Sequence, residues 1–421
     1  MSGVDVVYQR AAGIDISKSD AKVCVRIISG AGKRVALETR VFGSTIAQIR
    51  LLRDWLVDQK VESVVMESTS AYWTPFWDGL VDSGFELVLA NAHAVKQLKG
   101  RKTDVADAAW LAKLASLNMA PASFVPDRVV RDFRLLTRSR QKLVERRSGM
   151  VASLEKLLED TGLKLSNAAS KLLTVSGRRI LDAICSGQTD PVELAKLSML
   201  RKTTGEDLVE ALEGRIREVH VVLIRCLLTQ IDAMDEQAGI LQTRIEEAAQ
   251  AFEPQIELLS TIPGVDTTLA HAIIGEIGVD MSVFPSSDRL AAWAGVAPGA
   301  NQSAAKIKPA KTRKGDKHLK AALSQAARSA ANTNNTFLQA RFRRVRARRG
   351  EAKAYTALAR SIIVSIWHML TRSETYRDHG GDYYTRNATP AQRTRLQANA
   401  EAQLTRLGVQ YTIHQQPAPP L

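Results

Sequence analysis

Short apolar runs open the chain. Ala12–Ile16 and Val23–Ile28 are apolar and rich in β-branched residues, separated by the turn-prone stretch Ser17–Asp20. After a second turn at Gly30–Lys33, Val35–Val41 reads as a returning third strand. The period then changes, with Ile46, Ile49, Leu52 and Leu56 recurring at helical spacing. Val61–Met66 and Phe85–Ala90 are compact enough to be buried strands, and between them Ala71–Val81 is a helix rich in Trp and Phe. A further helix begins near Asp104 and runs through Ala108, Leu111, Ala112 and Ala115. The pattern therefore predicts three strands in meander followed by α, β, α, β, α.

That order is shared with ribonuclease-H/RuvC-like domains, although other α/β domains contain parts of it. From Val129 to Ala249 the apolar positions follow a helical period. Leu135, Leu143, Leu154, Leu157 and Leu158 mark one long helix. Ile231, Met234, Ala238, Leu241, Ile245 and Ala248 alternate steps of three and four, the seam of a coiled coil. Gly162–Pro191 breaks the two runs and reads as a smaller helical connector. A hairpin within one subunit and a dimerising coiled coil fit this pattern equally. Beyond it, Ile262-Pro263-Gly264-Val265 separates helical stretches at Pro254–Thr261 and Thr267–Ile277, like a helix-hairpin-helix turn whose glycine, Gly264, approaches a phosphate. The fold class is α/β plus all-α. Residues 1–128 form the α/β domain, 129–252 the helical connector, 253–378 a mostly helical C-terminal domain and 379–421 a tail. Within that tail Pro390–Leu407 reads as an amphipathic helix, and the Pro-rich end as disordered.

Charge changes the picture more than composition does. The 421 residues carry a net +14, and 45% hydrophobic residues are ordinary for a globular protein. Between Asn301 and Gly350 there are fourteen Lys and Arg against one acid, Asp316, leaving +1 for the rest of the chain. Charge so concentrated suits a phosphate-rich polymer, because affinity grows with each neutralised phosphate. No apolar run approaches the roughly 20 residues of a membrane span, and the N-terminus lacks a signal-peptide core. Cys24, Cys185 and Cys226 are too scattered for a disulfide frame or zinc site and read as mostly buried thiols of a cytoplasmic protein.

Four acids suggest chemistry. Asp15 lies within the apolar run Gly13-Ile14-Asp15-Ile16, where a carboxylate is costly without compensation. Glu67 ends Val64-Val65-Met66-Glu67, and Asp104 and Asp107 stand three apart at a helix start, on one side. Singly, the last two could be first-turn charges favoured by the helix dipole. Together the four would repel unless they held hard cations, and two Mg²⁺ ions can clamp the attacking and leaving oxygens of a phosphoryl transfer.

The segments Gly13-Ile14-Asp15-Ile16-Ser17-Lys18, Met66-Glu67-Ser68-Thr69 and Lys102-Thr103-Asp104-Val105-Ala106-Asp107-Ala108 resemble the DEDD signature of one insertion-sequence transposase family. It is the family named for element one-ten, which includes the pilin-gene invertase. Leu259–Val265, Trp293-Ala294-Gly295-Val296-Ala297-Pro298, Ser303 and Gly315-Asp316-Lys317-His318-Leu319 resemble its C-terminal domain. The resemblance implies that Ser303 attacks DNA covalently, as in serine recombinases, with Asp15, Glu67, Asp104 and Asp107 holding metal. Ala304 stands where the family has glycine. The resemblance further implies donor and target DNA, a structured guide RNA and a homo-oligomer. Lys306, Lys308, Lys311, Arg313 and Lys314 would flank the serine and hold the strand's phosphates, with Lys317 a further nucleic-acid contact. Arg341, Arg343, Arg344, Arg346, Arg348 and Arg349 would grip more backbone, either DNA or RNA. The rival expectations are a junction-resolving nuclease in which water attacks, and a non-catalytic nucleic-acid scaffold.

Overall fold

The computed structural model describes residues 6–29, 34–67, 71–92, 95, 107–165, 172–198, 205–298, 302–303, 306–307, 312 and 314–410, with the backbone alone at 302, 303, 306 and 307. The turn expected at Gly30–Lys33, Asp104, Ala304, Lys308, Lys311, Arg313 and the Pro-rich end lie outside the described residues. The chain separates into two compact units, Met1–Val125 and Pro126–Leu421.

In the first unit, β1 (Arg10–Ile16), β2 (Asp20–Ser29) and β3 (Arg34–Gly43) form an antiparallel meander. Helix α1 (Ile46–Asp58), capped by the Thr45 hydroxyl, leads to β4 (Ser63–Glu67), and α2 (Trp73–Leu80) leads to β5 (Glu86–Ala90). β4 runs parallel to both β1 and β5, which gives a sheet of order β3-β2-β1-β4-β5. The elements follow the expected order, with strand ends moved by one to three residues. Alternation along the strands fills two cores. Ala12, Ile14, Val64 and Met66 pack under α1 and α2 with Leu52, Phe76 and Leu80. On the other face, Ala11 and Val65 pack against Leu111, Leu114 and Ala115 of α3 (Asp107–Ser116).

The second unit is built on two long helices, α4 (Arg128–Thr161) and, after three short ones among the described residues, α8 (Glu218–Ala249). Each spans about 50 Å at the helical rise, and the two pack against one another within the chain. The leucines of the short helices, α5 (Val175–Cys185), α6 (Pro191–Lys196) and α7 (Gly205–Leu212), close a core over their far ends. Along the middle of the pair the expected seam is only partly covered. Ile231 and Ile245 are buried, whereas Met234, Ala238 and Leu241 are half-buried.

After α8 come α9 (Glu253–Ser260), α10 (Thr267–Ile277), α11 (Ser287–Trp293), the two-residue strands β6 (Gln302–Ser303) and β7 (Lys306–Ile307), α12 (Lys317–Asn332), α13 (Phe337–Arg349) and α14 (Glu351–Arg372). Two further helices, α15 (Tyr383–Arg386) and α16 (Pro390–Arg406), complete the described chain. The expected amphipathic helix is α16, but it buries no residue, and Leu396 and Leu407 face solvent. It stands on its Thr389 capping box and N-terminal proline rather than on packing. Of the cysteines Cys24 is buried, Cys185 half-buried and Cys226 exposed, so burial as expected holds for Cys24 alone. Among the described residues no helix is long and apolar enough to cross a membrane.

Candidate active site

Ile14 lies opposite Met66 in the parallel pair of β1 and β4, so the next residues, Asp15 and Glu67, are neighbours at the C-terminal ends of both strands. Strand alternation decides which way they face. Asp15 shares its face with Ala11 and Gly13, and Glu67 shares its face with Val65, the side covered by α3. Both acids are half-buried.

Helix α3 crosses that face at Gly13. A Cβ there would lie 2.1 Å from the Ala108 carbonyl oxygen and 2.3 Å from the Ala112 nitrogen, so only glycine permits the approach. The N–H groups of Val7 and Tyr8, just before β1, donate to the Ser116 carbonyl at the end of α3, whereas Gly13 meets Ala108, Leu111 and Ala112. The helix therefore runs antiparallel to β1, and its N-terminal residue, Asp107, comes level with Asp15. The sequence-separated acids Asp15, Glu67 and Asp107 are thus brought to one edge of one sheet face. Their oxygen donors suit a hard divalent cation. Among the described residues no group of three His, Cys, Asp or Glu side chains is gathered closely enough to hold an ion. The fourth expected ligand, Asp104, three residues earlier in the sequence, lies outside the described residues.

Ser303 belongs to the second unit. Gln302 pairs with Ile307 and Ser303 with Lys306, which places the serine at the tip of a hairpin. Below it Pro298 bridges to Thr312, and the Asp316 N–H donates to the Trp293 carbonyl at 3.1 Å. Asp316 anchors this root. Its Oδ1 accepts from the backbone N–H groups of His318 (2.9 Å) and Leu319 (2.8 Å), capping α12. Its Oδ2 accepts from Arg138 of α4 at 3.0 Å. Arg138 also donates to both oxygens of Glu276, at 2.6 Å each, on an acid whose side chain is 2% exposed. Arg134 donates to the carbonyls of Gly275 and Glu276, and His318 Nδ1 meets Gln141 Oε1 at 3.1 Å.

Burial opposes the charge of Arg138, but Glu276 and Asp316 outweigh it and hold the guanidinium above its ordinary value. For Arg134 burial wins and the value is lowered. Burial, with Arg138 nearby, also pushes the His318 imidazole below its usual range. In the sequence Asp316 stands out as a lone acid in a basic stretch and as part of the family-like segment Gly315–Leu319, with no role attached, and Arg138 and Glu276 pass unnoticed. The available signal was Glu276 itself, a carboxylate inside the apolar run Ala270–Val279.

The cations divide. Lys314 and Lys317 are exposed at the hairpin root, and Lys306 contributes its backbone to β7. On α13, Arg343, Arg344, Arg346, Arg348 and Arg349 are exposed and Arg341 is half-buried. Among the described residues none of these six forms an ion pair with a carboxylate. Arg344 instead lies over the Tyr384 ring, 4.4 Å from its centroid. At the α9–α10 turn, Gly264 has φ +88°, and a Cβ there would meet the Ala330 nitrogen at 2.4 Å. The close approach that this glycine permits is made to α12, within the same unit.

Residues 12–162 match a family model for DEDD transposases of IS110 elements, described as "Transposase". Residues 256–343 match one described as "Transposase IS116/IS110/IS902 family". The first span holds Asp15, Glu67, Asp104 and Asp107; the second holds Ser303 and Asp316. The chain is similar to the transposase for insertion sequence element IS1111A of Coxiella burnetii, 26% identical over 381 residues that cover 87% of this chain and 90% of the relative. It is also similar to an insertion element IS900 uncharacterized 42 kDa protein of Mycobacterium paratuberculosis, 24% identical with coverage of 87% and 96%. With residues 12–162 and 256–343 matched in order by two models of the same family, the chain belongs to the IS110 family of DEDD transposases.

Proposed function

We propose that this transposase cuts and rejoins DNA through Ser303, assisted by Asp15, Glu67, Asp104 and Asp107. The observation that supports the reading is that Asp15 and Glu67 end neighbouring parallel strands on the sheet face that the helix beginning with Asp107 crosses at Gly13. In the proposed step the Ser303 hydroxyl attacks a phosphodiester phosphorus. A serine Oγ–P bond forms, the bond to one deoxyribose oxygen breaks, and that oxygen leaves as a hydroxyl carrying the serine's proton. Attack by a hydroxyl end of another strand reverses the bond changes and frees the serine. The four acids would hold Mg²⁺, which when bound neutralises the phosphate and lowers the cost of deprotonating the nucleophile. A hairpin whose root is anchored by Asp316 suits this role, because a nucleophile needs a rigid support.

The α13 arginines, with no carboxylate partner among the described residues, support a polyanion held along that helix. We assign to it either the DNA strands or a structured guide RNA, whose base pairing would supply the sequence readout. We also assign to the transposase a homo-oligomeric state, as the family resemblance implies. The test is strand cleavage by the full chain on its element's DNA ends, with the element's transcript and Mg²⁺ present. Ser303→Ala is expected to lose both cleavage and covalent adduct, and Asp15→Asn or Glu67→Gln to lose cleavage with folding intact. Full cleavage by Ser303→Ala would transfer the reading to a water-attacking, junction-resolving nuclease. Cleavage that survives both acid substitutions would overturn the role of the acids.

A further inference from the structure

β3 is the outermost strand of the first unit's sheet, and its free edge is unusual. It is ten residues long, and Arg34 through Val41 are all exposed, on both faces of the strand. It contains no proline or lysine and does not shorten or bulge out of its pairing with β2. Edges of this length normally carry such features, because a row of free N–H and C=O groups recruits another strand. Here one face carries apolar groups into solvent instead: Val35, Leu37 and Val41 are 46%, 54% and 61% exposed. The opposite face carries Glu38 and Arg40, an exposed ion pair at 2.7 Å, with the Arg40 guanidinium over Trp55.

We infer that β3 pairs antiparallel with β3 of a second copy of this chain, in the register centred on Thr39. The charges select that register. Centred on Thr39, Glu38 faces the partner's Arg40 and Arg40 faces the partner's Glu38, while Leu37 and Val41 face each other twice on the apolar side. Centred on Glu38, that acid opposes itself; centred on Leu37, Arg34 opposes Arg40. Opposite charges and apolar pairs directly across a ladder stabilise it, and like charges destabilise it. Two five-stranded sheets then become one of ten strands, with both acid sites on the same face. Asp15 pairs with Lys22, which pairs with Val41. Counting strand spacings and residue rises from there sets the two acid sites about 27 Å apart.

The experiment uses the full chain freed of nucleic acid. Glu38→Arg alone and Arg40→Glu alone each turn two attractive cross-strand pairs into repulsive ones. Sedimentation velocity is expected to show self-association weakened at least about tenfold in each. An equimolar mixture of the two restores complementary charges at every cross-strand pair and is expected to recover to within about threefold. As a register test independent of affinity, Leu37→Cys mixed with Val41→Cys, in a Cys226→Ser background, is expected to give the mixed disulfide, with neither giving it alone. Unchanged association in both charge variants, failure of the mixture to recover, or absence of the mixed disulfide would overturn the pairing, whatever else binds this edge.

Discussion

Gly13 shows how one residue without a side chain places residues that have them. Its backbone admits α3 at a distance no Cβ tolerates, and this puts Asp107 level with Asp15. Gly13→Ala leaves every acid in place chemically, yet the Ala108 carbonyl at 2.1 Å must move. We expect a loss of about 1–3 kcal/mol in urea unfolding of the first unit, as for an overpacked core. Strand cleavage should fall further than that loss of stability explains. Asp15 and Glu67 were legible in the sequence, because a charge in or at the end of an apolar strand demands a reason. Asp107 was legible only through its family motif, since alone it resembles any first-turn acid. Arg138 and Glu276 were not legible, because a buried bidentate pair between residues 138 positions apart leaves no local pattern.

At the scale of elements, apolar periodicity located the strands and helices within a few residues, since the burial that creates the pattern also creates the element. It could not say what covers an element's other face, so the strand expected at Val35–Val41 and the helix expected at Pro390–Leu407 carried no sign of the exposure that β3 and α16 show. The tie between α4, α10 and the serine hairpin carries two predictions. Arg138→Ala strands the Glu276 carboxylate in the interior and is expected to cost about 3–5 kcal/mol, read as a lower denaturation midpoint. Arg138→Lys should recover only part of it, because an ammonium cannot make the bidentate pair. The second concerns acid. His271 and His318 are both held below the ordinary imidazole value of 6.5, by burial first. The unfolded chain therefore takes up protons near pH 6.5 that the folded chain refuses. Their contribution is fully present above that pH and declines as the pH falls toward the lowered folded values. Thermal unfolding midpoints should drop from pH 7 to 5, less steeply in His271→Gln. An unchanged slope in that variant would contradict the assignment.

At the scale of the whole molecule, the excess of positive charge is confined to one stretch of the chain. Thirteen of the fourteen net positive charges fall between Asn301 and Gly350, around the serine and along α13, away in sequence from the acids. Each α13 arginine that contacts a phosphate should contribute about one to the slope of log affinity against log salt. Arg343→Ala with Arg348→Ala is therefore expected to lower that slope by about two, with weakening spread evenly over sequences, as filter binding would show. The proposed chemistry is tested most directly by locating the covalent bond. Wild-type protein is stalled in mid-reaction on nicked element DNA and digested, and the peptide carrying the nucleotide is identified by mass spectrometry. The expected result is a phosphodiester on Ser303 that is absent from the Asp15→Asn variant. A nucleotide on any other residue, or efficient cleavage with no covalent peptide, would contradict it.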